Sequence, residues 1–258
     1  MIDSARGLRV LVTAGAAGIG KAFAETFADA GAKVFICDVD KAALDQFRKA
    51  RPEIGSGITD VADARQVDGL FDAALSFLGG LDVLINNAGI AGPTAQVEDI
   101  AIADWERTIA VDLNGMFYCT RKAVPLLKAA GGGSIINLSS VAGRLGFPLR
   151  APYSAAKWAV VGFTKSLAME LGPFNIRVNA IQPGTVEGDR INRVISAKSK
   201  ALGVSFDEFK EQLLSKVSLR RMVSPQDIAS MALFLATDAG RNISGQALSV
   251  CGNVESLV

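Results

Sequence analysis

Short runs that are apolar on both faces alternate along this chain with amphipathic stretches of helical length. The runs are residues 10–12, 34–37, 83–85, 134–138, 177–181 and 248–250; the helical stretches are residues 21–30, 41–50, 64–78, 104–129, 153–171 and 225–236. A strand with no polar face has to lie between two layers. A strand that feeds a helix and then another strand comes back parallel, through a right-handed crossover. The pattern therefore predicts an α/β fold, a doubly wound parallel sheet with helices on both faces. No linker rich in Pro, Ser or Gly divides the sequence and no repeat occurs, so residues 1–258 are expected to form a single domain. One segment breaks the rhythm. Residues 184–219 are too many for an ordinary connection and mix Arg190, Arg193, Lys198 and Lys200 with apolar side chains, which predicts a cover over a site.

The chain contains no histidine. Acid–base chemistry near neutral pH then has to come from a perturbed Tyr, Lys, Cys or carboxylate, and neither a serine–histidine pair nor a histidine metal site can be built. No metal is expected. A formal net charge of +1 without a block of like charges excludes a nucleic-acid footprint or an anionic-membrane surface. No apolar run reaches the roughly 18 to 20 residues that span a bilayer, and the first apolar run, residues 8–12, gives way at once to glycines instead of extending as a signal peptide. Cys37, Cys119 and Cys251 are odd in number and far apart, which fits buried thiols in a reducing compartment. A cytoplasmic protein is expected.

Thr13-Ala14-Gly15-Ala16-Ala17-Gly18-Ile19-Gly20 follows the first strand and opens the first helix. In that context glycines let backbone amides approach a pyrophosphate, and the helix N-terminus adds roughly half a positive charge. Asp38 ends the second strand, eighteen residues after Gly20. A carboxylate there accepts both ribose hydroxyls of an adenosine and repels a 2′-phosphate, so NAD is expected over NADP. Asp40, just before the second helix, is the expected N-cap, which leaves Asp38 for the ligand. Further on, Tyr153 and Lys157 stand one helical turn apart and Ser140 lies thirteen residues before Tyr153. A free phenol titrates near 10, and an ammonium one turn away stabilises its phenolate.

With these motifs in place, the chain resembles the short-chain dehydrogenase/reductase family over essentially its full length. The resemblance rests on the glycine turn, on Asp60-Val61, on Asn86-Asn87-Ala88-Gly89 after the fourth strand, on Asn114, Ser140, Tyr153 and Lys157, and on Pro183-Gly184. It implies a Rossmann-like sheet of about seven strands in the order 3-2-1-4-5-6-7. It also implies hydride transfer between a nicotinamide and a secondary alcohol or ketone. By the same resemblance, Asn114, Ser140, Tyr153 and Lys157 form the catalytic tetrad. Tyr153 handles the proton and also contacts the cofactor, Lys157 supports it and binds the nicotinamide ribose, Ser140 holds the substrate oxygen with Ser139 as the alternative, and Asn114 anchors a water. Asp60 and Val61 contact the adenine, and Thr13, Gly15, Ala17, Gly18, Ile19, Gly20, Asn87, Ala88, Gly89, Pro183, Gly184, Thr185 and Val186 complete the cofactor site. A homotetramer is implied as well. Three positions depart from the family: Ala14 replaces a usual Gly, Gly188 a common Thr, and Cys251 a common Asp.

Arg144 and Arg150 flank the catalytic residues and Arg190 lies in the cover segment, so each is a candidate anchor for an anionic substrate group. Few aromatic residues occur in the cover segment, which favours a small sugar, polyol or hydroxy acid. The alternatives are a 3-oxoacyl thioester reductase, against which Asp38 counts, and a cofactor-binding regulatory or scaffold protein, against which the intact Ser-Tyr-Lys set counts.

Overall fold

A computed structural model describes residues 5–254, 256 and 257 of the chain. Residues 1–4, 255 and 258, part of the expected single domain, lie outside the described residues. In chain order the elements are β1 (Arg9–Thr13), α1 (Gly18–Asp29), β2 (Lys33–Asp38), α2 (Lys41–Ala50), β3 (Gly55–Ile58), α3 (Ala64–Leu78), β4 (Val83–Asn86), α4 (Ile102–Ile109), α5 (Gly115–Ala129), β5 (Gly133–Leu138), α6 (Ala151–Leu171), β6 (Ile176–Pro183), α7 (Asp189–Leu202), α8 (Phe206–Ser215), α9 (Pro225–Ala236) and β7 (Ala247–Val250). The strands form one parallel sheet in the order β3-β2-β1-β4-β5-β6-β7. This is the Rossmann-like doubly wound architecture that the alternation of strands and helices implies.

Side chains alternate across each strand, and the two faces of the sheet make two cores. Val10 and Val12 of β1 pack with Val34 and Ile36 of β2 under α1, α2 and α9. Leu11, Phe35 and Cys37 point the other way, onto α3, α5 and the end of α6. β3 has no strand signal in its sequence, Gly-Ser-Gly-Ile. Its glycines are needed for packing: a Cβ on Gly55 would lie 2.6 Å from the Phe35 ring, and that ring stacks at a tilt on Phe77, 5.9 Å between centroids. The starts of α2, α3, α8 and α9 are set by side-chain caps. Asp40 Oδ1 accepts from the Ala43 amide at 3.0 Å, and Ser224 and Asp227 form a reciprocal capping box at α9.

The helix expected over residues 104–129 is interrupted. α4 ends at Ile109, residues 110–114 wind as a π-helical turn, and α5 begins at Gly115. One physical reason lies at Gly115, which abuts Val61 so closely that a Cβ would stand 2.7 Å from its side chain. Such π segments are frequent at functional sites because they re-aim a side chain. The cover segment resolves into α7 and α8, joined through the buried Ile195, Phe209 and Leu213. Among the described residues, no helix is long and apolar enough to cross a membrane.

Candidate active site

The carboxyl ends of β1, β4, β5 and β6 surround one cavity of about 580 Å³, the position where doubly wound sheets bind ligands. At its β1 edge the chain turns sharply. Ala14 takes φ 51° and Gly18 φ 54°; the alanine carries roughly 1 kcal/mol of strain there that the family's usual glycine avoids. Asn87, after β4, donates from Nδ2 to the Thr13 and Ala14 carbonyls, each at 2.9 Å. Thr13 Oγ1 accepts from the Asn87 and Ala88 amides, each at 3.0 Å. Gly15 abuts Ile36, and Gly20 sits so close to the Ala14 carbonyl that no side chain fits.

α1 starts with no side-chain cap and no acid in its first turn, while Ala17, Gly18, Ile19 and Gly20 line the cavity. Uncapped amides and the helix dipole at a glycine cradle suit a pyrophosphate, so the residues present fit a dinucleotide. Asp38 is oriented from beneath. Its Oδ2 accepts from the Ala16 amide at 3.1 Å and its Oδ1 from the Asp40 amide at 3.1 Å.

The residues expected to handle the proton converge from the end of β5 and from α6. Ser140, Tyr153 and Lys157 all line the cavity. Ser139 lines it too, but its Oγ donates to the Lys157 carbonyl at 2.8 Å. Ser140 Oγ accepts from the Ala142 amide at 3.1 Å, which leaves its proton for a bound oxygen. Lys157 Nζ lies 5.5 Å from the centroid of the Tyr153 ring and donates to the Leu138 carbonyl at 3.1 Å.

The fourth member expected at this centre is not the residue found there. Asp112, not Asn114, meets Lys157: Asp112 Oδ2 is 3.3 Å from Nζ, and neither side chain is more than 4% exposed. Asp112 Oδ1 accepts from the Ile90 amide at 2.6 Å. Among the described residues the Asn114 side chain makes no hydrogen bond. Two positions along a helical turn separate side chains by about 160 to 200° around the axis, so 112 and 114 face opposite ways. Asp112 escaped the sequence reading because one acid in a long helical stretch looks like part of a solvated face; its apolar neighbours Val111 and Leu113 were the available signal. Gly89 lies beside the pair, and a Cβ there would come within 3.2 Å of Lys157 Nζ.

Other expected residues divide between the cavity and its supports. Asn87, Gly89, Pro183, Gly184, Thr185 and Val186 line it, as do Arg150 and Arg190. Thr13, Gly15, Asp38, Asp60, Val61 and Ala88 lie outside its walls. Asp60 accepts from the Ala62 amide at 3.0 Å and pairs with Arg107 at 3.0 Å. Arg144, expected at the site, lies away from the cavity instead: its Nη2 donates to the Val254 carbonyl at 3.1 Å and lies 3.5 Å from Cys251 Sγ. The short 3-10 turn after Ser140 carries Arg144 away from the cavity and onto the C-terminal segment. Gly188 takes φ 129° at the start of α7, a conformation closed to the family's threonine. Lys198, absent from the expected site, lines the cavity and is 1% exposed.

The cysteines take no part in this chemistry. All three are buried free thiols, and burial pushes the Cys37 thiol up to about 12.

Fold and site together define a Rossmann-like oxidoreductase domain whose main cavity is lined by a serine, a tyrosine and a lysine, Ser140, Tyr153 and Lys157. Residues 14–253 match the family model described as enoyl-(acyl carrier protein) reductase. A trans-4-hydroxycyclohexanecarboxylate dehydrogenase of Sinomonas cyclohexanicum is 39% identical, the match covering 94% of this chain and 90% of that protein. Among solved structures, an NAD+-bound xylitol dehydrogenase superposes with a TM-score of 0.92 at 29% identity, covering 96% of this chain and 98% of that one. An actinorhodin polyketide ketoreductase variant with NADPH gives 0.90 at 32% identity, with 98% of each chain covered. The chain belongs to the short-chain dehydrogenase/reductase family, and the two solved relatives hold nicotinamide cofactors, NAD+ in one and NADPH in the other.

Proposed function

We propose that the protein is an NAD-dependent dehydrogenase of a small hydroxylated substrate, a sugar, polyol or hydroxy acid, which it converts to the ketone. The observation that carries the reading is the Asp38 carboxylate, held by two backbone amides at the end of β2. An acid fixed there accepts ribose hydroxyls and repels a 2′-phosphate. The glycine turn and Asp38 would hold a nicotinamide dinucleotide, which when bound would supply the hydride acceptor. Tyr153, as the phenolate that the Lys157 ammonium stabilises, takes the substrate's hydroxyl proton and becomes the phenol. Ser140 donates to the substrate oxygen and orients it. Leu138 and Asp112 hold Lys157 in place. The dehydrogenases of a hydroxycyclohexanecarboxylate and of xylitol among the relatives support a small hydroxylated substrate.

Initial rates with NAD and NADP test this directly. NAD is expected to be favoured by about 100-fold or more in kcat/KM, the scale of a like-charge clash of several kcal/mol, and Asp38→Ser is expected to erase most of that margin. Equal use of the two cofactors by the parent enzyme overturns the assignment. A 3-oxoacyl thioester reduced faster than any alcohol is oxidised replaces it with the reductase reading.

We further propose a homotetramer in the cytoplasm. Phe117 of α5 and Trp158 and Met169 of α6 are 47%, 51% and 83% exposed, an excess of outward apolar surface that suits helix packing between copies. Buried free thiols suit a reducing compartment. Sedimentation at micromolar concentration should give four chains per particle, and a monomer contradicts the assembly.

A further inference from the structure

Beyond Tyr153 the cavity is walled by cations whose chemistry hydride transfer does not use. Arg150, at the N-terminus of α6, is 2% exposed. Its guanidinium carbon lies 5.3 Å from the Tyr153 ring centroid and 5.5 Å from that of Phe147. Its guanidinium makes one hydrogen bond to a described residue, from Nη2 to the Ala91 carbonyl, and its buried Nε has no partner among the described residues. Arg190 stands 5.8 Å from the same Tyr153 ring and donates to the Gly89 carbonyl at 3.1 Å. Lys198 comes in from α7 with Nζ 4.1 Å from the Phe147 centroid. Among the described residues, no acid forms an ion pair with Arg150 or Arg190. Glu187 and Asp189, which share the cavity wall, are exposed.

We propose that Arg150 and Arg190, with Lys198 lining the wall beside them, form a carboxylate subsite, so that the substrate is a hydroxycarboxylate whose acid group lies beyond Tyr153. The inference rests on the dehydrogenase reading above and deepens it.

A buried guanidinium left without an anion is costly, and a bound carboxylate offsets that cost while accepting from the Arg150 Nε–H that the described residues leave unbonded. The cations also oppose one another. Burial, reinforced by Arg150, pushes the Lys198 ammonium down to about 8, and burial lowers Arg150 as well, with Arg190 acting in the same direction. An anion between Arg150 and Arg190 offsets the repulsion of those two. Phe147 and Phe209 beside Lys198 favour a singly charged carboxylate over a phosphate dianion, whose desolvation costs more.

The test compares trans-4-hydroxycyclohexanecarboxylate with its methyl ester and with 4-methylcyclohexanol, all at saturating NAD. The acid is expected to exceed the ester in kcat/KM by about 10- to 150-fold, the range of a charge-assisted hydrogen bond. Arg150→Gln and Lys198→Met are each expected to shrink that ratio severalfold, mainly through KM for the acid. Binding is read separately from turnover: cyclohexanecarboxylate should raise Tm of the NAD-loaded parent, whereas cyclohexanecarboxamide should not. Ester and acid turned over equally, or amide and acid stabilising equally, overturns the subsite and leaves the dehydrogenase reading intact. No alcohol oxidised, with the carboxylate still raising Tm, removes the dehydrogenase reading and keeps the anion site.

Discussion

Tyr153→Phe is expected to lower kcat by about 10²- to 10⁴-fold, the usual contribution of a positioned acid–base group. The loss should fall on the chemical step. Tyr153 and Lys157 meet at the cavity wall, and removing the phenolic oxygen takes away the proton acceptor while the aromatic ring still fills its place. Dinucleotide affinity, read by quenching of protein fluorescence on titration, should change by no more than a few-fold, because the glycine turn and Asp38 are built from β1, α1 and β2. With no histidine in the chain, no neighbouring imidazole can take over. A variant that keeps parental kcat would show that the proton leaves by another route.

Asp112→Ala is expected to be the most damaging single change to stability. It strips the carboxylate from a Lys157 ammonium that is 96% buried, since its side chain is 4% exposed, and breaking a buried ion pair from one side costs about 3 to 5 kcal/mol. For a domain of this size that is a fall in Tm of roughly 6 to 20 °C. The Ile90 amide, bonded to Asp112 Oδ1 at 2.6 Å, loses its acceptor at the same time. Asp112→Asn keeps an oxygen for that amide and a polar neighbour for Nζ, so it should recover much of the stability. The two variants separate hydrogen bonding from charge. An alanine variant that melts with the parent would remove Asp112 from the centre.

Much of the architecture is legible without coordinates because the two periodicities are physically distinct. Runs apolar on both faces have to be buried strands, and amphipathic stretches between them have to be the covering helices. The ends of α2, α3 and α9 follow directly, since Asp40, Asp63 and Ser224 are side-chain caps whose effect is local. β3 is not legible, because Gly55 and Gly57 form strand only where β2 offers backbone partners and Phe35 and Phe77 need the space. The break between α4 and α5 is hidden for a similar reason: helical periodicity runs through residues 110–114, and the π turn answers to Val61 and Lys157, distant in sequence.

For the site, sequence alone determined the chemistry that follows from order along the chain. A glycine turn between a strand and a helix, an acid at the next strand's end, and a tyrosine and lysine one turn apart are each local patterns with one physical consequence. The partners of those groups were decided only in three dimensions. Which of Asp112 and Asn114 faces Lys157 depends on the winding of one helical turn. Whether Arg144 or Arg150 reaches the cavity depends on the 3-10 turn after Ser140, which sends Arg144 to Val254. Lys198 becomes part of the site because α7 folds back over it. Local patterns set each residue's capacity, but burial and pairing depend on distance, and distance is set by the packing of segments far apart in the chain.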